Sequence, residues 1–265
     1  MALFHVNKMI IHFFIQLLNK LFKMTFFGKS NTGLRRNNNE DSFIVKPEQN
    51  FCALADGMGG AASGELASSI FVETVAEVFS KKENHSEQVT IDLILSSFKL
   101  ANERILNRAK ENSKHEGMGC TAELLAFYNQ NMVVGHVGDS RTYILREGSL
   151  RKLTEDHSLV QDQVNQGLIT PSDAKRHSLR HVILRAVGIK DDLEVDIIRG
   201  NVMPGDIFLL CSDGLTDMVD DSTIQEILSI SLDIHKKADN LINAANSLGG
   251  HDNITVILCE TPLTK

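Results

Sequence analysis

The chain predicts an α+β fold in which antiparallel sheets are covered by helices. Three observations lead there. Apolar runs of strand length come in succession, helical patterns come in adjacent pairs, and no βαβαβ alternation or internal repeat appears. No linker rich in Pro, Gly or Ser divides residues 25–265, so they are expected to form a single domain.

The first two strands are expected at Asp41–Val45 and Phe51–Asp56, joined by a turn at Pro47–Asn50. A helix from Ser63 to about Ser80 carries Leu66, Ile70, Val75 and Phe79 near one face, and a second runs from Thr90 to about Asn112. Strands follow at Cys120–Tyr128, Met132–Gly138 and Arg141–Arg146, with Glu147-Gly148 as a turn signal. The polar stretch from Ser158 to about Ser178 reads as helical. Further strands are expected at Leu193–Ile198, Ile207–Ser212 and Ile254–Cys259, and further helices from Ser222 and from Asp233.

Residues 1–24 differ from the rest. They contain no acid, are rich in Phe, Ile and Leu, and repeat Lys8, His12, Gln16, Lys20 and Lys23 close to one helical stripe. No apolar run there is long enough to span a bilayer, and no small-residue cleavage site follows it. Three readings stay open: a cationic amphipathic helix on a membrane surface, a helix packed on the domain or a partner, or a start-site artefact preceding Met24.

Composition narrows the function. The net charge is -7, so no basic face for nucleic acid is implied. Cys52, Cys120, Cys211 and Cys259 lie far apart with no Cys-x-x-Cys pair, which reads as buried thiols in a reducing, cytoplasmic compartment and argues against structural zinc.

Four short acidic motifs carry the chemistry. They are Asn39-Glu40-Asp41, Asp56-Gly57-Met58-Gly59-Gly60, Cys211-Ser212-Asp213-Gly214 and His251-Asp252-Asn253, each at the edge of an apolar run. Carboxylates gathered at strand ends suit a hard cation, which takes oxygen ligands. Asp56 is placed to bridge two ions with the Gly57 carbonyl as a further ligand, and Asp213 and Asp252 complete the set, a combination suited to Mg²⁺ or Mn²⁺. Arg36 offers a guanidinium fork matched to phosphate. Together these residues point to phosphate-ester hydrolysis by metal-activated water without a covalent intermediate. Alone, each is bland: an Asp-Gly pair is an ordinary turn, and His157, His177 and His181 read as surface or satisfied histidines.

As an ordered set the motifs resemble the protein phosphatase 2C family, the metal-dependent serine/threonine phosphatases, in its compact bacterial form. The resemblance runs from Gly33-Leu34-Arg35-Arg36 through Asn39-Glu40-Asp41, Asp56-Gly57-Met58-Gly59-Gly60 and Gly117-Met118-Gly119-Cys120-Thr121. It continues in Gly138-Asp139-Ser140-Arg141, Thr154-Glu155-Asp156-His157-Ser158 and Cys211-Ser212-Asp213-Gly214, and closes at Asp252-Asn253-Ile254-Thr255.

It implies a central β-sandwich flanked by helices on both sides, in four layers (αββα), with a binuclear metal centre at one end. By resemblance, Asp56 bridges the ions, Asp213 and Asp252 complete one position and Gly57 the other. Glu40 binds through metal water, Asp41 supports the ligands, and Asp139 with Asp213 forms a third, weaker position. Residues 158–185 match a mobile flap. Met58 stands where members from animals carry a histidine proposed as general acid, and Ala61 stands where several bacterial relatives have histidine, so no general acid is assigned. The implied partners are a phosphoprotein substrate and a cognate serine/threonine kinase; the chain is expected to be a monomer. Two other phosphatase chemistries fail on spacing, since Met58 and Asp217 occupy the sixth positions after Cys52 and Cys211, where a cysteine phosphatase needs Arg, and Cys211 replaces the aspartate that a haloacid-dehalogenase motif requires.

Overall fold

The computed structural model describes residues 24–80 and 86–263. The reading of residues 1–24 therefore falls, except for Met24, outside the described residues. Among these no helix is long and apolar enough to cross a membrane.

Among the described residues, eleven strands form two antiparallel sheets. One has the order β1 (Thr25–Asn31), β11 (Ile254–Glu260), β10 (Ile207–Cys211), β7 (Arg141–Arg146), β8 (Ser149–Lys152). The other runs β2 (Asp41–Lys46), β3 (Phe51–Met58), β5 (Ala122–Tyr128), β6 (Asn131–Val137), β9 (Asp196–Asn201), with β4 (Gly119–Cys120) paired to the end of β3. The sheets stack face to face. Helices α1 (Ala61–Phe79) and α2 (Glu87–Glu111) cover the second sheet. Helices α5 (Asp213–Thr216), α6 (Asp221–Ser229) and α7 (Ile234–Ser247) cover the first. The four-layer αββα arrangement is thus the observed one.

Strand alternation builds the layers. In β10, Ile207, Leu209 and Cys211 pack under the helices, whereas Phe208 and Leu210 fill the space between the sheets with Leu54, Leu125, Ile144 and Ile257. Both faces of the central strands are largely apolar for that reason, and β3, β5, β10 and β11 read as near-continuous hydrophobic runs. Cys52 and Cys259 meet inside this middle layer with their sulfurs 3.5 Å apart, and all four cysteines are free and buried.

Four elements depart from the sequence expectation. The polar segment from Ser158 to Ser178 is not one helix but two short ones, α3 (Leu159–Asn165) and α4 (Pro171–Ala174). Gly167, with φ +70°, ends the first, and a Thr170–Asp173 capping box with Pro171 starts the second. The strand expected at Leu193–Ile198 begins at Asp196 and continues to Asn201, because its ladder with β6 recruits Gly200 and Asn201 despite their poor strand propensity. Finally, β1 and β8 lack a clear sequence signal and exist through pairing with β11 and β7.

Candidate active site

The β2–β3 ladder sets Asp41 opposite Asp56. Beyond Asp56 the chain stays extended to Met58, and the Asp56 amide donates to Thr121 Oγ1 at 3.2 Å. Gly57 lies so close to the start of α1 that a Cβ there would fall 2.1 Å from the Gly64 carbonyl oxygen. Only glycine permits that approach. On the other sheet Asp213 does not end a strand, as the sequence suggested, but opens α5 two residues after β10. Gly214 packs against the Asn253 carbonyl, which carries Asp252 to the same end of the sandwich.

These ends meet in a cleft of about 620 Å³ whose walls include Arg36, Glu40, Asp56, Gly57, Asp139, Asp213 and Asp252. Asp41 lies behind it, 8% exposed. Its Oδ2 accepts hydrogen bonds from Ser212 Oγ at 2.8 Å and Thr255 Oγ1 at 2.6 Å. Glu40 is also buried, with its amide donating to Asn253 Oδ1 at 2.8 Å and its carbonyl accepting from Ser68 Oγ at 2.6 Å. Arg36 reaches Asp252 Oδ2 at 2.6 Å from the rim.

So many carboxylates in one place repel one another. Burial first, then Asp41, Asp213, Asp139 and Asp252, push Asp56 well above the ordinary carboxylate range. Burial and then Asp139, Asp217, Asp252 and Asp41 do the same to Asp213. Burial raises Asp41 to about 6 and Asp139 to about 7, the latter aided by Asp156 and Asp217 and opposed by Arg141. Buried oxygens of three of these groups, Oδ1 of Asp41, Asp139 and Asp213, accept no hydrogen bond. A buried acceptor without a donor is costly, and a divalent cation relieves both the repulsion and the missing partners. The donor set is oxygen-rich and anionic, which fits Mg²⁺ or Mn²⁺.

Sequence reasoning passed over several residues of this site. Asn253 ties three segments together, with Nδ2 donating to the carbonyls of Thr32 at 3.0 Å and Asn38 at 2.9 Å while Oδ1 takes the Glu40 amide. Thr121 bridges Asp56 to Ser140 Oγ at 2.7 Å, next to Asp139. Arg180, His181 and Asp217 also line the cleft. Asp217 was legible as a second carboxylate four residues after Asp213. Nothing in the sequence linked it to Arg180 and His181. His157, by contrast, is satisfied as expected: its Nδ1 accepts from the Gly138 amide at 3.1 Å, and its Nε2 lies 3.3 Å from Asp196.

The sandwich and its acid-lined cleft define a class, and solved structures share it. The S. agalactiae serine/threonine phosphatase superposes with a TM-score of 0.85 at 32% identity, covering 89% of this chain and 99% of that one. The catalytic domain of the serine/threonine protein phosphatase PstP, solved with two manganese ions, gives a TM-score of 0.82 at 34% identity, covering 91% and 99%. In sequence, the serine/threonine phosphatase stp of Listeria monocytogenes is 37% identical over 241 residues, 89% of this chain and 96% of that protein. The family model described as protein phosphatase 2C matches residues 33–248. This chain belongs to the protein phosphatase 2C family and is an enzyme of the protein phosphatase class.

Proposed function

We propose that this enzyme hydrolyses phosphoserine and phosphothreonine in proteins at a binuclear Mn²⁺ or Mg²⁺ centre, without a phosphoenzyme. The observation that carries this reading is the crowding of Asp56, Asp139, Asp213 and Asp252 in one cleft with buried carboxylate oxygens that accept no hydrogen bond. The serine/threonine phosphatases of similar sequence and the neighbour solved with two manganese ions support it.

In this reading Asp56 and the Gly57 carbonyl hold one ion, and Asp56, Asp213 and Asp252 hold the other. When bound, such ions lower the pKa of a water and polarise the phosphoryl group. The chain's own residues do the rest. Arg36 exchanges its bond with Asp252 for the substrate phosphate and so orients it. Asp41, held by Ser212 and Thr255, fixes Asp56 from behind. Glu40 faces the same cleft and orders solvent there. Asp139 with Asp213 offers a third, weaker position.

We further propose that residues 25–265 act as one catalytic domain with a flap over residues 158–185. A kinase partner, a monomeric state and membrane-surface contact through residues 1–24 belong to the same set of proposals. Failure of the full chain to pellet with anionic vesicles removes the membrane contact.

The purified protein is expected to hydrolyse an aryl phosphate and a phosphothreonine peptide only with added Mn²⁺ or Mg²⁺. Activity that survives exhaustive chelation overturns the proposal.

A further inference from the structure

The segment Asp213-Gly214-Leu215-Thr216-Asp217 ends in an aspartate that the reading above leaves idle. The Asp217 amide bonds back to the Asp213 carbonyl at 2.8 Å, closing one helical turn. A spacing of four puts both carboxylates on one side of that turn. The flap brings His181 to them. Its Nδ1 lies 3.4 Å from Asp217 Oδ2, and one atom each from His181, Asp213 and Asp217 fall within 4.8 Å of one another.

A separate observation points to the same spot. Asp139, 8% exposed, lines the same cleft as His181, Asp213 and Asp217. Its Oδ1, like that of Asp213, is buried and accepts no hydrogen bond. Ligands of one octahedral ion, at bond lengths of about 2.1 Å, stand about 3 Å apart at right angles and about 4.2 Å apart across the ion.

We propose that His181 is a metal ligand from the flap: its imidazole, with Asp217 and Asp213, holds a divalent transition-metal ion at the outer edge of the carboxylate cluster. The inference rests on the metal-centre reading above and adds to it a nitrogen donor. Carboxylates alone serve Mg²⁺ and Mn²⁺ alike, whereas an imidazole in the set favours Mn²⁺ and later metals. Occupancy also bears on the flap. His181 lies two residues before Ile183, which bridges to Ser158 at the flap base. Arg180 Nε stands 3.9 Å from the same Asp217 oxygen, so an ion there takes over the charge that Arg180 now balances. The ordinary alternative is a surface imidazolium–carboxylate pair. Such a pair contributes little.

The test uses the full chain, stripped of metal and reloaded with saturating Mn²⁺, read by electron spin-echo envelope modulation. The expected result is nitrogen-14 modulation from a directly bound imidazole. It is lost in His181→Gln and kept in His251→Gln, whose ring also lines the cleft. Equilibrium dialysis should show the weakest Mn²⁺ step loosened roughly tenfold or more in His181→Gln and in Asp217→Asn. Bound Mn²⁺ that depends on Asp56 but shows no nitrogen coupling overturns the role of His181 alone, as does coupling that persists in His181→Gln. No Mn²⁺ binding by the parent chain overturns this inference and the metal-centre reading together.

Discussion

Asp41 and Asp56 stand opposite each other in the β2–β3 ladder, yet their surroundings differ. Asp41 is closed off, with one oxygen held by Ser212 and Thr255 from the other sheet. Asp56 turns to the cleft, among like charges that raise it. One cross-strand pair thus has one carboxylate facing the cleft and the other tied to the opposite sheet.

Asp56→Asn is expected to abolish turnover while the fold persists, because it removes the charge shared by both proposed ion positions. Rates at saturating Mn²⁺ and Mn²⁺ retained on dialysis check this together. A folded variant with near-parent rates removes Asp56 from the bridging role.

Arg36→Ala is expected to raise KM by roughly tenfold to a hundredfold with kcat little changed, since charge-assisted bonds to phosphate contribute about 1.5–3 kcal/mol. The guanidinium is half-exposed and bound to Asp252, so its loss leaves packing intact. An unchanged KM for an aryl phosphate rules out its role as phosphate ligand.

Asn253→Ala is expected to lower stability by about 2–4 kcal/mol, because it strands the buried Glu40 amide and the Thr32 and Asn38 carbonyls. Urea unfolding of the metal-free chain reads the loss. A change within about 0.5 kcal/mol shows that water replaces the side chain there.

The pH dependence follows from Asp139. Burial raises it from 3.8 to about 7, so the folded chain binds that proton more tightly than the unfolded chain. The stability this proton confers is present below about pH 4 and lost as pH rises towards 7. In chelated protein, Asp139→Asn should therefore gain Tm relative to the parent across that window, and Mn²⁺ should narrow the gap by stabilising the parent's charged form. A gap that shrinks with rising pH in chelated protein contradicts the assignment.

Much of this protein was legible in its residues. Runs of apolar residues marked most of the sandwich, because strands buried on both faces are mostly apolar. The acidic motifs picked out the carboxylates Asp56, Asp213 and Asp252 that share the cleft, because their charge and glycine neighbours are local features of the sequence. The polar stretch from Ser158 to Ser178 reads as one helix in sequence, whereas Gly167 and Pro171 break it into two. The shift of β9 and the existence of β1 and β8 depended on partners far away in the chain.

Residue types and their order determined, without any coordinates, the fold class and which side chains were candidates for chemistry. Only the tertiary structure decided which carboxylates share one cleft, that Asn253 and Thr121 hold them there, and that His181 meets Asp217. The reason is physical: a strand's alternation and an aspartate's charge are local properties, whereas repulsion between carboxylates, buried oxygens without donors and the reach of a flap exist only once distant segments are brought within a few ångströms.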